Sequence, residues 1–228
     1  METTRIDSEP EKVDFAELAR KAAQGFPDTT QTETPLEPKQ SPENLTRARL
    51  LWTASQVPDK HREMRPEASE SAEWNAKWCE LAGALGKGTL AVIIGTRGGG
   101  KTQMGVCAIR QACKELRPAL YAKALDFFLE VRGTYRKDSQ KIEQDIIERY
   151  CDPELLVIDA IENRSDSPFE NLLLNHLVDK RYDKNRDTIL IGNYNEQEFA
   201  ASMGPSIVDR IHECGIKILC NWKSFRRR

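Results

Sequence analysis

The sequence predicts an α/β protein in which five parallel strands form one sheet with helices on both faces. Two observations lead to this prediction. Short apolar or β-branched runs alternate with longer segments of helical periodicity from residue 89 onwards. The run Leu155–Asp159 is apolar until its last residue, which is typical of a strand buried on both faces. Strands that alternate with helices in this way favour a parallel sheet.

The predicted elements follow one another along the chain. The strands are 89–94, 119–124, Leu155–Asp159, 188–192 and 216–220. The helices are 45–54, 73–85, 102–116, 125–135, 139–150, 166–184, 196–203 and 205–213. The helix within 166–184 has the clearest start, because Ser167 as N-cap, Pro168 at the first position and Glu170 at the third form a capping-box pattern. The helix 73–85 has four large apolar residues on one face, which we expect in the core: Trp74, Trp78, Leu81 and Leu85.

Charge divides the chain into two parts. Residues 1–44 hold ten acidic against five basic side chains, so residues 45–228 carry a net +3 within the overall −2. This balance excludes a histone-like protein that binds nucleic acid by bulk charge. We expect residues 1–44 to be an acidic, partly disordered segment and 45–228 to be the folded domain. Within the segment, 13–24 is a candidate amphipathic helix, either a partner-docking element or a frayed piece without a role, and 26–44 has the composition of a linker.

Cysteines and hydropathy favour a cytoplasmic protein. The six cysteines form no C-x-x-C pair and lack histidines at zinc-finger spacing, so we expect reduced thiols rather than disulfides or a zinc site. The N-terminus lacks the apolar region of a signal peptide. Apolar runs are far shorter than the ~20 residues that cross a membrane, so no membrane contact is predicted.

A glycine-rich loop between the first strand and its helix predicts a phosphate site. Residues 95–102 read GTRGGGKT and match G-x-x-x-x-G-K-[ST] without a mismatch. Such a loop turns successive amides toward phosphate oxygens, its lysine reaches the β- and γ-phosphates, and its hydroxyl binds Mg²⁺. The predicted ligands are therefore ATP and Mg²⁺. The predicted contacts are Gly95, Thr96, Arg97, Gly98, Gly99, Gly100, Lys101, Thr102 and, in the first helical turn, Gln103.

A second acidic position follows the third strand. Asp159 ends LLVID about 60 residues after the loop, where a carboxylate can hold Mg²⁺ through water beside Thr102. Glu162 lies two residues after Ala160, on the same face as Ala160 if the strand continues.

Six sequence blocks together resemble a known family. They are GTRGGGKT, LLVIDAIE, SPFE, LVDKRYDKNRDTILIGN, MGPSIVDRI and CNWKSFR, and they span roughly residues 56–228. The chain resembles the DnaC-type replicative helicase loaders, including those of phages and prophages, and through them the IstB-like ATPases of the AAA+ superfamily. The resemblance implies a P-loop AAA+ core. Because the sequence ends at Arg228, we expect a helical lid after the fifth strand to be minimal or absent.

The resemblance also implies roles for residues near the γ-phosphate. AAA+ ATPases usually have a water-orienting glutamate directly after the metal-binding aspartate, but Ala160 occupies that position. Glu162 takes over this role, or ATP is hydrolysed slowly or not at all. Asn193 corresponds to the polar sensor residue, with Asn195 as the alternative if the register is off by two, and an ordinary turn as the other interpretation of this stretch.

Two arginines match catalytic positions of the family. Arg210 matches the arginine finger that reaches the ATP of a neighbouring subunit, which implies a homo-oligomer. The alternative is a surface arginine paired to Asp209 or Glu213. Arg226 matches the second sensor arginine, and the alternative is one charge of a basic tail.

The resemblance further implies binding to single-stranded DNA and to a hexameric, DnaB-like replicative helicase. Strand binding without sequence preference needs cations and aromatic rings along a groove. The candidates are Arg132, Tyr135, Arg136, Lys137 and Phe169. The stretch 132–138 is equally typical of a solvated helix end, and Phe169 of a core residue. Residues 1–50 would dock on the helicase.

Three functional hypotheses remain open at this point. The first is an ATP-dependent helicase loader acting in replication initiation in a bacterial cell, encoded by the host, a phage or a prophage. The acidic segment and the CNWKSFR block favour it. The second is an IstB-type transposition ATPase that recruits a transposase. The third is an ATP-binding switch without turnover, which Ala160 favours.

Overall fold

A computed structural model describes residues 41–66, 69–136, 140, 142–165 and 167–225 of the chain. The candidate helix 13–24, Lys137 and Arg226 lie outside these residues. The predicted α/β class is confirmed, because all strand pairs are parallel and form one five-stranded sheet. The strands are β1 Leu90–Gly95, β2 Ala119–Lys123, β3 Leu155–Asp159, β4 Asp187–Gly192 and β5 Gly215–Cys220, in the order β2-β3-β4-β1-β5.

Seven α-helices accompany the sheet in the described chain. They are α1 Pro42–Ala54, α2 Ala72–Ala84, α3 Lys101–Lys114, α4 Ala124–Thr134, α5 Glu143–Cys151, α6 Pro168–Asp183 and α7 Glu196–Cys214. Helix α1 begins three residues before the predicted start because the Ser41 side chain caps it. Helix α7 joins the two predicted pieces across a kink at Gly204, whose φ of 76° is not helical. None of the described helices has the length and apolar character of a membrane span.

The start of α6 differs from the predicted capping box. The Ser167 hydroxyl accepts the Glu170 amide at 3.3 Å, as predicted. The Glu170 carboxylate, however, binds the Ser165 amide at 2.6 Å and the Arg132 guanidinium at 2.6 Å. Glu170 is buried, and a buried carboxylate without partners is costly. The contacts with Ser165 and Arg132 offset this cost, so the carboxylate does not form the second cap of α6. A full capping box forms instead at the start of α7.

The core lies on both faces of the sheet. Adjacent β1 residues point to opposite sides, so Ile93 joins one apolar cluster and Ile94 joins the other. One cluster contains α3 and three of the predicted α2 residues, Trp74, Leu81 and Leu85, with Trp78 half-buried against it. The other contains the apolar sides of α4 to α7. Each fully buried large side chain contributes ~1.5–3 kcal/mol, and such residues fix α2 to α7, whereas α1 has no buried residue.

Strand order determines where polar residues meet. Strand β1 lies between β4 and β5, and β3 lies between β2 and β4. All carboxyl ends therefore lie at one edge, where Lys123 pairs in register with Asp159 and Ile94 with Gly192. In open parallel sheets this edge is where ligands bind.

Candidate nucleotide-binding site

The glycine-rich loop leaves β1 at this edge and opens directly into α3. Gly95, Gly98 and Gly100 have φ values of 135°, 83° and 79°, a backbone region that side-chain-bearing residues rarely adopt. A Cβ on Gly95 would overlap the Cys220 carbonyl of β5, and one on Gly100 would lie 2.7 Å from Trp74 Nε1. The loop and the first turn of α3 border a cavity of about 490 Å³. An anion there would face the positive end of a 14-residue helix.

Most of the predicted nucleotide contacts lie around this cavity. It is bordered by Arg97, Gly98, Gly99, Gly100, Lys101, Thr102 and Gln103. Gly95 and Thr96 lie one step back, where their carbonyls accept the Lys101 ammonium at 2.9 and 2.6 Å. Lys101 is therefore held under the loop it belongs to, with only 7% of its surface exposed.

Thr102 and Asp159, the two predicted metal ligands, are in direct contact. The Thr102 hydroxyl donates to Asp159 Oδ2 at 2.8 Å. Hydroxyl and carboxylate oxygens are the donor type that Mg²⁺ prefers, so this pair fits the metal. The Ala160 amide donates to the other carboxylate oxygen at 2.8 Å, which fixes the orientation of the side chain.

Sequence reasoning missed a third partner of Asp159. The Tyr121 hydroxyl, from the neighbouring strand β2, donates to Asp159 Oδ2 at 2.7 Å. Burial, followed by the charge of Asp159, raises the pKa of Tyr121 well above its usual range, so the hydroxyl keeps its proton and donates. The available signal was a tyrosine within a buried strand, because a buried hydroxyl needs a partner.

The chain reaches Glu162 by a route other than the predicted one. Strand β3 ends at Asp159, so the expectation that Glu162 continues the same strand face is wrong. Ala160 adopts a left-handed conformation, with φ 56°, and the short 3₁₀ turn Ile161–Asn163 follows. The turn brings Glu162 back to the cavity, where the Asn193 backbone amide donates to Oε2 at 3.1 Å and its side-chain amide binds Oε1.

Of the two asparagines considered as sensor, Asn193 lies in the cavity. It follows the last residue of β4 and lies at the same sheet edge as Asp159. Asn195 caps α7 instead: its side chain accepts the Glu198 amide at 2.8 Å and its own amide donates to Glu198 at 2.9 Å. A residue engaged in such a reciprocal cap is held at the helix start.

One part of the cavity wall comes from the chain before β1, which the sequence did not indicate as a site. Lys60, His61 and Met64 border the cavity. Arg110 of α3 anchors this stretch: its Nε donates to the Met64 carbonyl at 3.2 Å, and it lies over the Trp52 ring at 4.1 Å. Burial lowers the pKa of His61, and the nearby Asp159 charge opposes that shift. The neutral imidazole is therefore favoured at this wall.

A family model described as IstB-like ATP-binding protein matches residues 86–228, which is more than half of the chain. The chain belongs to this family. The replicative helicase loader DnaC of Escherichia coli K12 is 26% identical over 138 residues, which cover 60% of this chain and 56% of the relative. The chain thus spans little more than half the length of that curated relative.

Solved structures agree with the AAA+ fold of this IstB-like protein. The crystal structure of the DnaC helicase loader superposes with a TM-score of 0.62 at 15% identity, covering 71% of this chain and 99% of the other. The replication initiator DnaA bound to AMPPCP and single-stranded DNA superposes with a TM-score of 0.60 at 20% identity, covering 74% and 52%. At these identities the likeness concerns the fold.

The finger candidate of this IstB-like protein lies away from its own nucleotide cavity. Arg210, on α7, forms an ion pair with Asp179 of α6 at 2.9 Å and lies over the Tyr182 ring at 5.5 Å. Its partner is thus neither Asp209 nor Glu213, the two neighbours in sequence that were considered. Asp179 lies on a different helix from Arg210, so sequence spacing could not identify it as the partner.

Four of the five DNA candidates come together on one surface. Arg132 binds Glu170, and the Tyr135 and Phe169 rings meet edge to face with centroids 5.9 Å apart. Arg136 is exposed next to Tyr135. The end of α4 and the start of α6 thus form a small aromatic and basic surface, in which the buried Glu170 carboxylate partly neutralises Arg132.

Proposed function

We propose that this protein is an ATP-dependent helicase loader that places a hexameric replicative helicase on single-stranded DNA during replication initiation in the bacterial cytoplasm, encoded by the host, a phage or a prophage. The observation that carries the proposal is an assembled P-loop site in a chain whose curated relatives are named replicative helicase loaders.

In this proposal the site binds ATP with Mg²⁺. The loop amides and the start of α3 bind the phosphates, with Lys101 at the β- and γ-phosphates. Thr102 and Asp159 hold Mg²⁺, which neutralises phosphate charge when bound, and their 2.8 Å contact supports this assignment. The wall formed by Lys60, His61 and Met64 takes the nucleoside side of the ligand. Gln103, at the end of the cavity near this wall, completes the binding set.

Hydrolysis would depend on Glu162. A water-orienting carboxylate must face the γ-phosphate. Within the described chain, the acidic side chains that border the cavity are Asp159, which is assigned to the metal, and Glu162. Both Glu162 oxygens bind Asn193, so Asn193 has to exchange this contact for the γ-phosphate before Glu162 can orient water. Turnover is therefore slow without a partner that favours this exchange.

The active form in this proposal is a homo-oligomer. Arg210 leaves Asp179 and reaches the γ-phosphate of a neighbouring subunit, while Arg226 acts as the second sensor in its own subunit. Both partners of the Arg210–Asp179 pair are partly exposed, so breaking it costs at most about 1 kcal/mol. That cost is small beside the stabilisation that an arginine finger gives to transferred phosphate.

DNA and helicase occupy separate parts of the chain in this proposal. Single-stranded DNA lies on the aromatic and basic surface at the end of α4 and the start of α6, with Lys137 adding a cation. Residues 1–44 form the helicase-docking segment, extending to about residue 50, and 45–228 form the ATPase domain. The acidic excess of residues 1–44 keeps the docking segment from competing for DNA phosphates.

A capture experiment from the source cell tests this function. Tagged wild-type protein and Lys101→Ala are each used as bait with and without ATP, and eluates are analysed by mass spectrometry. A replicative helicase enriched by wild-type protein with ATP, and reduced with Lys101→Ala, is the expected result. Recovery of a transposase would instead support the IstB-type transposition ATPase, the alternative that the family description favours.

The non-hydrolysing switch is the second candidate that an observation favours. Ala160 lacks the carboxylate, and Glu162 is held by Asn193. Tight ATP binding with turnover at background, with DNA and helicase present, would support the switch. Ala160→Glu should raise turnover if the missing carboxylate limits the rate, and no change would assign the limit to Glu162 or to a missing partner.

A further inference from the structure

Three consecutive carbonyl oxygens of the P-loop accept hydrogen bonds from residues outside the loop. The Phe225 amide donates to the Gly98 carbonyl at 2.9 Å. Trp222 Nε1 donates to the Gly99 carbonyl at 3.0 Å, and Trp74 Nε1 donates to the Gly100 carbonyl at 3.2 Å. The donors come from opposite ends of the domain, Trp74 from α2 before the sheet and the other two from the chain after β5.

These bonds determine which way the loop amides face. In a trans peptide the C=O and the following N–H point in opposite directions, and the described chain contains no cis peptide. A Gly99 carbonyl held from outside therefore turns the Gly100 amide inward, and the Gly98 carbonyl does the same for the Gly99 amide. Inward amides are what a phosphate-binding loop offers its ligand.

Both tryptophans are fixed by packing, so their indole N–H groups are held in place. Trp74 is fully buried and stacks on Trp78 at 6.2 Å. Trp222 packs against the apolar cluster that contains α3, and its ring lies 6.5 Å from that of Phe225. Phe225 in turn borders the nucleotide cavity. The loop is thus held on its outer side by groups that cannot turn away easily.

We propose that Trp222 and Trp74 are positioning residues that hold the P-loop in its phosphate-binding conformation. The inference rests on the proposed function in one respect, that the loop binds ATP. Trp222 carries the larger share, because the Gly100 carbonyl also accepts the Met104 amide at 3.0 Å as the first bond of α3. Losing Trp74 therefore leaves Gly100 with a partner, whereas losing Trp222 leaves the described Gly99 carbonyl without its indole donor.

Calorimetric titration with a non-hydrolysable ATP analogue tests the inference. Trp222→Phe keeps most of the packing and removes the N–H, so we expect roughly fivefold to tenfold weaker binding, as one lost hydrogen bond predicts. Trp74→Phe should weaken binding by less than Trp222→Phe. Trp78→Phe is the matched control, since Trp78 lies one turn along α2 and stacks on Trp74 without bonding to the loop in the described chain. It should bind as wild type does.

A second variant separates positioning from packing. A benzothienyl analogue of tryptophan at position 222 keeps the shape of the bicyclic ring and lacks the N–H. It should reproduce the affinity loss while the melting temperature stays within about 2 °C of wild type, a shift below 1 kcal/mol for a domain of this size.

Two results would overturn the inference. Wild-type affinity in both the Trp222→Phe protein and the benzothienyl protein would show that the indole N–H is not needed. An equal loss in Trp78→Phe would show that helix packing, and not the loop contact, sets affinity. Lys101→Ala is titrated in parallel as the variant that should not bind the analogue. If the wild-type protein also fails to bind, the proposed function fails together with this inference. If the wild-type protein binds and Trp222→Phe binds equally well, only this inference fails.

Discussion

Asn193 binds both carboxylate oxygens of Glu162, Oε2 through its backbone amide at 3.1 Å and Oε1 through its side-chain amide. The first residue after β4 thereby holds the second acidic side chain that borders the cavity in the described chain. This contact exists because Ala160 turns the chain out of β3 and the 3₁₀ turn returns it three residues later. In our proposal Glu162 orients water and Asn193 senses the γ-phosphate, so this contact would link ATP occupancy to the position of Glu162.

Substitution of Glu162 tests whether it is the residue that supports hydrolysis. Glu162→Gln keeps the size of the side chain and an acceptor for Asn193, but it cannot take a proton from water. We expect ATP turnover to fall roughly tenfold to 100-fold, while affinity for ATP stays within about twofold. Steady-state phosphate release and calorimetric titration measure the two quantities. Glu154→Gln, remote from the cavity lining, is the control, and equal turnover in all three proteins would remove Glu162 from the mechanism.

The Tyr121 hydroxyl orients Asp159, which predicts a selective defect in Tyr121→Phe. The variant loses a hydrogen bond to a carboxylate in a buried place, so stability should fall by about 1–2 kcal/mol. Affinity for ATP with Mg²⁺ should fall severalfold, and affinity for nucleotide in the presence of a chelator should change little. Tyr182→Phe removes an exposed hydroxyl bonded to Glu213 and is the comparison. Identical losses with and without Mg²⁺ would contradict an orienting role for Tyr121.

Arg210 acts on a neighbouring subunit in our proposal, so its loss should show in turnover and not in binding. We expect Arg210→Ala to lower ATP turnover at least about tenfold while ATP affinity remains unchanged. Mixing the Arg210→Ala protein with the Lys101→Ala protein should restore partial turnover, because Arg210 of a Lys101→Ala subunit can reach the ATP bound by a neighbouring Arg210→Ala subunit. A mixture of these two variants that is no more active than the separate proteins would contradict an action between subunits.

Removal of either aromatic ring at the surface formed by the end of α4 and the start of α6 should weaken binding to single-stranded DNA. Tyr135→Ala and Phe169→Ala should each weaken binding to a single-stranded oligonucleotide by about 1–3 kcal/mol, since each removes a ring on which a base can stack. Leu172→Ala is the control, because Leu172 is an exposed apolar residue of α6, 69% accessible, without a ring. Fluorescence anisotropy at fixed salt measures the affinities. Wild-type affinity in both aromatic variants would place the DNA elsewhere.

The local parts of this structure could be predicted from the sequence. Strand β3 has the predicted limits, Leu155–Asp159, and Ser167 caps α6 as its position before Pro168 indicates. Such features depend on a few neighbouring residues. The P-loop could also be predicted locally, because its sequence pattern contains the glycines and the lysine that border the cavity.

The remaining parts of the site depend on residues that are distant in sequence. The contact of Tyr121 with Asp159 requires β2 to lie beside β3, and the Arg210–Asp179 pair requires α7 to lie on α6. The turn at Ala160 has no sequence signal, because a left-handed conformation at a residue other than glycine is uncommon. Tertiary packing, and not local preference, decides these three features.

Transfer of a purified replicative helicase onto closed circular single-stranded DNA tests the central claim most directly. Helicase retained on the circles after a high-salt wash is measured with wild-type protein, with Lys101→Ala and without either, each with and without ATP. We predict that retention rises severalfold only with wild-type protein and ATP. Equal retention with Lys101→Ala, or in the absence of the protein, would contradict the account.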